Sequence, residues 1–354
     1  MSAARAGLAS ARRFFLSATR SPALAAGAAL AATAATMANA TQQQSTECLS
    51  KPDGLTQMRE KSYPLLEHHH GKAKVRVLRV RRPTAEGLET AQEYTVATRL
   101  FSPAYSVVFT DEDNQGLIAT DTQKNTVYVV AQKSSATTPE DFGLDIARHL
   151  LDEYPVLNAV EVDIVEDIWK RHVGADGPHE HGFIKHAPER AQARVRLSRE
   201  NPNNPEVVSG VTGLTVLKTT QSGFDNYLRD QYTLLPETQE RCLATEMSLE
   251  WTYTHSSKVD YAAARDSVRQ NMMKGFYGPA AGGVYSVSLQ ATIYDAGCMV
   301  LAKTPSVATL SIDTPNIHMI PFHALKPLTG KPFDNDVYVA TSEPSGSIHC
   351  TIKR

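Results

Sequence analysis

Cysteine is scarce in this chain and scattered: Cys48, Cys242, Cys298 and Cys350 among 354 residues, with no C-x-x-C pair. Neither a zinc cage nor a disulfide framework is written into such spacing, and the thiols are expected to be reduced and mostly buried. G-x-G-x-x-G, G-x-x-x-x-G-K-[ST] and G-x-S-x-G are also missing. That removes the sequence case for a dinucleotide, a nucleoside triphosphate or a nucleophile-elbow hydrolase. An excess of basic residues is lacking too: 36 Lys and Arg stand against 38 Asp and Glu, a formal net charge of -2. Nucleic-acid binding normally leaves a basic footprint, so DNA and RNA are not expected partners. What remains is an ordinary globular composition, 42% hydrophobic and 21% charged, in a chain long enough for one large domain or two of moderate size.

Acidic residues are absent from one region altogether. Between Met1 and Thr46 there is no Asp, Glu or Lys, only Arg5, Arg12, Arg13 and Arg20 among Ala, Ser, Leu and Phe. This is the composition of an organellar leader. All 38 acids and all but four of the 36 bases therefore follow it, leaving a body of about six net negative charges. The Ala-rich run from Pro22 to Met37 closes on Ala38-Asn39-Ala40, an A-x-A-like cleavage site. It is short and weakly apolar for a spanning helix, so removal is expected and no stable membrane anchor. A mitochondrial presequence fits best. The stretch Arg12-Arg13-Phe14-Phe15-Leu16 also resembles a twin-arginine export signal, and a plastid leader has a similar composition.

Residues 47–70 are polar and carry Pro52 and Pro64, which reads as a linker, with the fold beginning near Lys72. Strands are predicted over Lys74 to Val80, within Tyr94 to Thr110, and over Thr126 to Ala131, with a turn at Asp111 to Gly116. A helix starts at Thr138: an N-cap hydroxyl, Pro139 in the first turn, then Glu140 and Asp141 where the dipole favours negative charge. Phe142, Ile146, His149 and Leu150 form its apolar face, and Pro155 follows its end. Val160, Val162 and Ile164 alternate with Glu161 and Asp163, and Val195 and Leu197 with Arg194 and Arg196, marking half-buried antiparallel strands. The second half repeats the order: strands at Leu214 to Lys218 and Met247 to Tyr253, helices at Asp260 to Lys274 and Ser286 to Lys303, a strand at Val307 to Ile312. The expected class is α+β, two similar units each with an antiparallel sheet and helices on one face. Asn201-Pro202-Asn203-Asn204-Pro205 breaks any regular element and divides the units, 71–202 and 203–354.

His172, His179, His181 and His186 are the most conspicuous chemical cluster, and a His-x-His pair on a strand can aim both imidazoles to one face. Their flanks are Gly and Pro, and no Glu with a later His completes a ligand set, so no metal is expected. A different set of residues is more specific. Gly71-Lys72, Ala119-Thr120-Asp121 with Lys124 to Tyr128, the run Ser209 to Lys218, Phe224 to Tyr232, Glu240-Arg241, Ser288 to Thr292 and Pro315-Asn316-Ile317-His318 together closely resemble urate oxidase (uricase), in order and spacing, from about residue 65 onward.

The resemblance implies two tunnelling-fold units per chain, a homotetramer around a central tunnel, and active sites shared between subunits. It implies oxidation of urate by O2 and water to 5-hydroxyisourate and hydrogen peroxide, with no metal and no organic cofactor. Residue by residue, it makes Phe224 a stacking face, Arg241 a bidentate cation, Gln290 a donor and acceptor pair, and Leu289 a backbone contact where many relatives have Val. Thr120 and Asp121 would meet urate from the neighbouring subunit. Lys72, Thr120 and His318 match the proton-relay triad, with Asn316 beside the oxygen or water site. Such assignments suit a flat anionic purine on chemical grounds, since they supply a planar surface, a forked cation, an amide and a group titrating near neutrality. Another tunnelling-fold enzyme, acting on a pteridine or a different purine, would keep the clamp and lack the triad. Many relatives end in a Ser-Lys-Leu-like peroxisomal tripeptide, whereas this chain stops at Ile352-Lys353-Arg354. Mitochondrial import through residues 1 to about 40 is therefore expected, and a fluorescent fusion to those residues that stays cytosolic or enters peroxisomes would contradict it.

Overall fold

The computed structural model describes residues 63–82, 87–256 and 259–354. The leader and most of the 47–70 linker lie outside the described residues. Residues 65–354 form one compact unit, in which ten strands share a single antiparallel sheet.

Its first half runs β1 (His70–Arg81), β2 (Thr90–Phe101), a short helix α1 (Ser106–Thr110), α2 (Thr120–Lys133), α3 (Pro139–Glu153), β3 (Ala159–Gly174) and β4 (Gly177–Ser198). The second half runs β5 (Glu206–Lys218), β6 (Leu243–Tyr253), α4 (Tyr261–Tyr277), α5 (Leu289–Lys303), β7 (Val307–Asp313), β8 (Asn316–Pro321), α6 (Leu325–Thr329), β9 (Tyr338–Thr341) and β10 (His349–Lys353). Strands β1 to β7 lie side by side in chain order, β10 closes the far edge against β7, and β8 and β9 branch from the start of β6.

Alternation decides which face of the sheet is covered. Tyr94, Val96 and Leu100 on β2, Val160, Val162 and Ile164 on β3, and Val195 and Leu197 on β4 are buried beneath the helices of the first half. The intervening residues face away, and those on β3 and β4, with Arg99 on β2, are largely charged. Arg99 and Arg194 meet Asp163 at 2.6 and 2.9 Å, and Lys185 and Arg190 meet Asp167 at 2.7 and 2.8 Å. One core gathers Tyr94, Phe142, Ile146 and Val160, and a second gathers Met247, Trp251, Val268, Met272, Ile293 and Leu310. Both halves thus follow one strand-strand-helix-helix-strand plan.

Helix α3 begins as its sequence dictates, with the Thr138 hydroxyl accepting from Asp141 N at 3.1 Å. Phe142, Ile146 and Leu150 are fully buried, while His149 is only half-buried. The described thiols are not mostly buried as expected, since Cys298 is exposed and Cys242 and Cys350 are half-buried, and three expectations about the elements also need correction. The segment Thr126 to Ala131 is not a strand but the body of α2. Its β-branched composition suggests extension, yet Gln123, Thr126, Val127, Val130 and Ala131 are buried at helical spacing, and packing on β1 overrides propensity. Strand β2 stops at Phe101, because Ser102 caps the 3-10 turn Pro103–Tyr105 that leads into α1. The helix expected from Ser286 starts at Leu289, with Ser288 as its N-cap.

A buried polar cluster joins the halves. Arg265 and Arg269, one turn apart on α4, reach across to acids of the first half. Arg265 donates to both Glu140 oxygens at 2.8 and 2.6 Å, with Glu140 wholly buried. Ser209 donates to Glu140 at 2.6 Å, Tyr253 to Ser209 at 2.7 Å, and Trp251 to Tyr253 at 2.9 Å. Arg269 grips both oxygens of Glu189 on β4 at 2.7 and 2.9 Å. Glu166 continues the inward row of β3 and lies 3.7 Å from Arg265. Its burial outweighs that arginine and pushes its pKa up from 4.5 to about 7. The native state then holds a proton that the unfolded chain has released between those two values, so stability falls as pH rises from about 4.5 to about 7. Glu166→Gln is expected to flatten that decline and raise the melting temperature above neutrality; an unchanged slope in thermal melts across this window would contradict the assignment.

Candidate active site

The residues singled out in the sequence fall into two groups. Lys72 on β1 and Thr120 and Asp121 at the start of α2 form the first. Lys72 pairs with Thr98 and Val75 with Val96, so β1 carries one extra residue there, and Lys74 takes φ of 58°. Such a bulge re-aims a side chain. It puts Lys72 on the same face as Thr98, toward α2. Gly71 makes the close approach possible, because a Cβ there would lie 2.0 Å from the Thr98 carbonyl oxygen.

A chain of hydrogen bonds then ties the bulge to the helix start. Lys72 N donates to Thr98 Oγ1 at 3.4 Å, Thr98 Oγ1 to Gln123 Oε1 at 2.8 Å, and Gln123 Nε2 to the Ile118 carbonyl at 3.3 Å. His70 bonds the same carbonyl at 3.0 Å. Ala119, at the N-cap, has no side chain to bond the first turn, which leaves N–H groups at Thr120 and Asp121 for an acceptor. Asp121 bonds Lys124 and Asn125, and the first of these contacts, with a smaller pull from Lys72, holds its carboxyl below the ordinary range.

Three converging segments build the second group. Phe224 and Thr238 exchange backbone bonds at 2.7 and 3.0 Å, and Arg241 N donates to the Ser222 carbonyl at 2.8 Å. The Phe224 ring stacks on Tyr227 at 4.9 Å, and the Arg241 guanidinium sits 5.3 Å from its centre. Ser286 is bonded into the same place, donating to the Gln221 carbonyl and accepting from Gly223 N, both at 2.9 Å. Just beyond it Ser288 caps α5 through Ala291 N, so Leu289, buried, and Gln290, exposed, are its first two residues. Burial lowers the Arg241 pKa against a smaller pull from Tyr285, and no carboxylate pairs with it among the described residues. A half-buried cation in that state invites an anion.

Asn316 and His318 are on β8, where the i, i+2 spacing keeps them on one face. Together with Arg241 they line a cavity of about 400 Å³ that Cys242, His323 and Tyr338 also border. Asn316 Oδ1 is buried without a partner, an acceptor whose complement is a ligand or water. A wider hollow of about 620 Å³, bordered by Phe101, Arg196 and Arg199, collects none of the singled-out residues. His172, His179 and His181 approach one another on the β3–β4 hairpin, with ring centres 6.2 and 4.7 Å apart. Among the described residues no group of three His, Cys, Asp or Glu is arranged to hold a metal.

The two groups are far apart within one chain. Lys72 shares a cross-strand row with Thr98, Val162, Val195 and Val207, and that row meets β6 beside Thr252. Asn316 instead pairs with Thr245. Five strand steps of about 4.8 Å separate β1 from β6, and Thr252 to Thr245 adds about 24 Å along the strand. Thr98, Gln123 and Ser286, which fix these side chains, had no signature in the sequence, since a bulge and a loop crossing emerge only from register. Gly71→Ala is expected to push β1 from β2 at the bulge and displace Lys72, lowering kcat at least about tenfold along with the melting temperature; undiminished kcat would show that the bulge does not set Lys72.

Comparison with known proteins matches this architecture. The family model described as Uricase matches residues 68–196 and 207–349. The chain is 40% identical over 301 residues to a uricase from Arabidopsis thaliana, covering 82% of this chain and 96% of that one. It is 38% identical over 299 residues to uricase-2 isozyme 2 from Glycine max, covering 81% and 94%. The crystal structure of a uricase from Arthrobacter globiformis superposes with a TM-score of 0.74 at 33% identity, covering 83% of this chain and 96% of that one. The chain belongs to the uricase family.

Proposed function

We propose that this chain is a urate oxidase that converts urate, O2 and water to 5-hydroxyisourate and hydrogen peroxide. The observation that carries the reading is the cavity in which a carboxylate-free Arg241, the orphaned Asn316 Oδ1 and His318 converge beside the Phe224 ring. That combination of cation, amide, imidazole and aromatic face suits a planar purine anion better than a neutral or aliphatic substrate. In this reading urate stacks on Phe224. Arg241 grips its anionic edge in two bonds, and Gln290 with the Leu289 backbone takes the opposite amide edge. Urate itself is the electron source for O2. The protein's part is to hold the two reactants together and to move protons.

Lys72, Thr120 and His318 are the relay in this proposal. The Lys72 ammonium favours release of the Thr120 proton, and the His318 imidazole returns protons to reduced oxygen beside Asn316. Thr120 and Asp121 also offer the free N–H groups of an uncapped helix start to the purine edge.

The separation of the two groups supports a site completed by a second copy, as in a homotetramer with shared sites. Two further observations support it. Strands β1 and β10 are the outer members of the sheet, and the loop after Phe224 exposes Leu228, Tyr232 and Leu234 at 97%, 80% and 91%. Open edges and apolar loops of that kind are normally covered.

Urate absorbance and O2 are expected to fall in step, with peroxide appearing, in the presence of a strong chelator; persistent urate, or turnover that needs added metal, would overturn the reading. Lys72→Met and Thr120→Ala should each lower kcat about a hundredfold while a urate analogue binds within a fewfold of the parent, and unchanged turnover in either variant removes the relay.

A further inference from the structure

Lys218, the last residue of β5, is only 6% exposed. Its ammonium donates to Ser286 Oγ at 2.8 Å and to the Val284 carbonyl, with the Phe276 ring centre 5.9 Å away. No acid pairs with it among the described residues. Every element packed on it presents a neutral group: Leu243 across the ladder on β6, Phe276 on α4, and Val284 and Ser286 on the loop before α5. Burial is the sole cause of its lowered pKa. A leucine or methionine would fill this space without desolvating a charge, so the ammonium answers a need other than packing.

The need is visible in what the two acceptors do. Ser286 is the residue through which the loop is stitched to the segment carrying Phe224, donating to the Gln221 carbonyl and accepting from Gly223 N. Between those two residues, Ser222 accepts from Arg241 N. Past Ser286 the loop continues to Ser288 and the start of α5, where Leu289 and Gln290 stand. Val284 N is bonded to the Tyr277 carbonyl at the end of α4. One ammonium therefore holds the loop where all three segments of the site meet.

We propose that Lys218 is the positioning residue of the substrate clamp, fixing the segment of Leu289 and Gln290 against that of Phe224 and Arg241. This rests on the clamp reading given above. The role belongs to the protonated form, because a neutral amine keeps two donors but loses the charge that strengthens both bonds. As pH rises through the depressed pKa of Lys218 the loop loosens, and urate affinity falls with it.

The test compares Lys218→Met, Lys218→Arg and Arg241→Ala in the full chain, with KM and kcat for urate measured from neutral to alkaline pH. Lys218→Met is expected to raise KM about tenfold with kcat within about threefold, and to lack the alkaline rise of KM that the proposal predicts for the parent. Lys218→Arg, which keeps charge and donors, recovers most of the affinity. A Lys218→Met protein with the parent KM, beside a weakened Arg241→Ala, overturns the proposal alone. Undiminished affinity in Arg241→Ala strikes the clamp reading instead. If Lys218→Met does not fold, Ser286→Ala decides: a KM raised about threefold supports the proposal, and an unchanged KM overturns it.

Discussion

An unbroken antiparallel ladder from β1 to β7 governs the placement of every chemical group in the molecule. Each strand pairs with the next in chain order, so position along the sequence becomes position across the sheet, at about 4.8 Å per strand. Residues from the first and last parts of the chain cannot meet by local folding. Lys72, Thr120 and Asp121 are held at one corner, and Arg241, Asn316 and His318 at the diagonal one. The proposed chemistry needs both, which is why the proposed site is one completed by a second copy of the chain.

The ladder leaves the two faces of the sheet with different tasks. One carries the helices and both apolar cores. The other is a lattice of opposed charges in which Asp163 and Asp167 each bridge two cations. Exposed pairs of that kind contribute little individually, but the alternation prevents the open face from associating at random. Under the helices, the Glu140 cluster joins the two halves across the β4–β5 turn, with Arg265 and Arg269 reaching from the second half into the first. Leaving Glu140 without Arg265 would strand a wholly buried carboxylate, at a cost of about 3–5 kcal/mol. The junction between the halves is thereby kept from acting as a hinge.

Much of this was legible in the sequence, for physical reasons that differ between elements. The alternations at Val160 to Ile164 and Val195 to Leu197 carry strand and face together, and Thr138-Pro139-Glu140-Asp141 announces α3 through capping chemistry. Ordered motifs pointed to Phe224, Arg241, Asn316 and His318, and the three segments that carry them do border or adjoin one cavity. Other features were not legible. The helix α2 hides behind a β-branched run, because its stability comes from packing on β1 rather than from propensity. The bulge at Ala73 and Lys74 depends on register with β2, which no local pattern encodes. Lys218 looks like the solvated end of a strand, and only the loop returning from α4 makes it a buried donor.

The central claim is that a complete site needs Lys72 from one chain and Arg241 from another, and hybrid assembly tests it most directly. Lys72→Met and Arg241→Ala homo-oligomers, each nearly inactive, would be mixed, dissociated, reassembled together and assayed with urate. Random pairing gives sites built from an intact Lys72 and an intact Arg241, so about a quarter of the parent activity is predicted to return. Hybrids as inactive as the separate variants would mean that each site is completed within one chain, and would contradict the account.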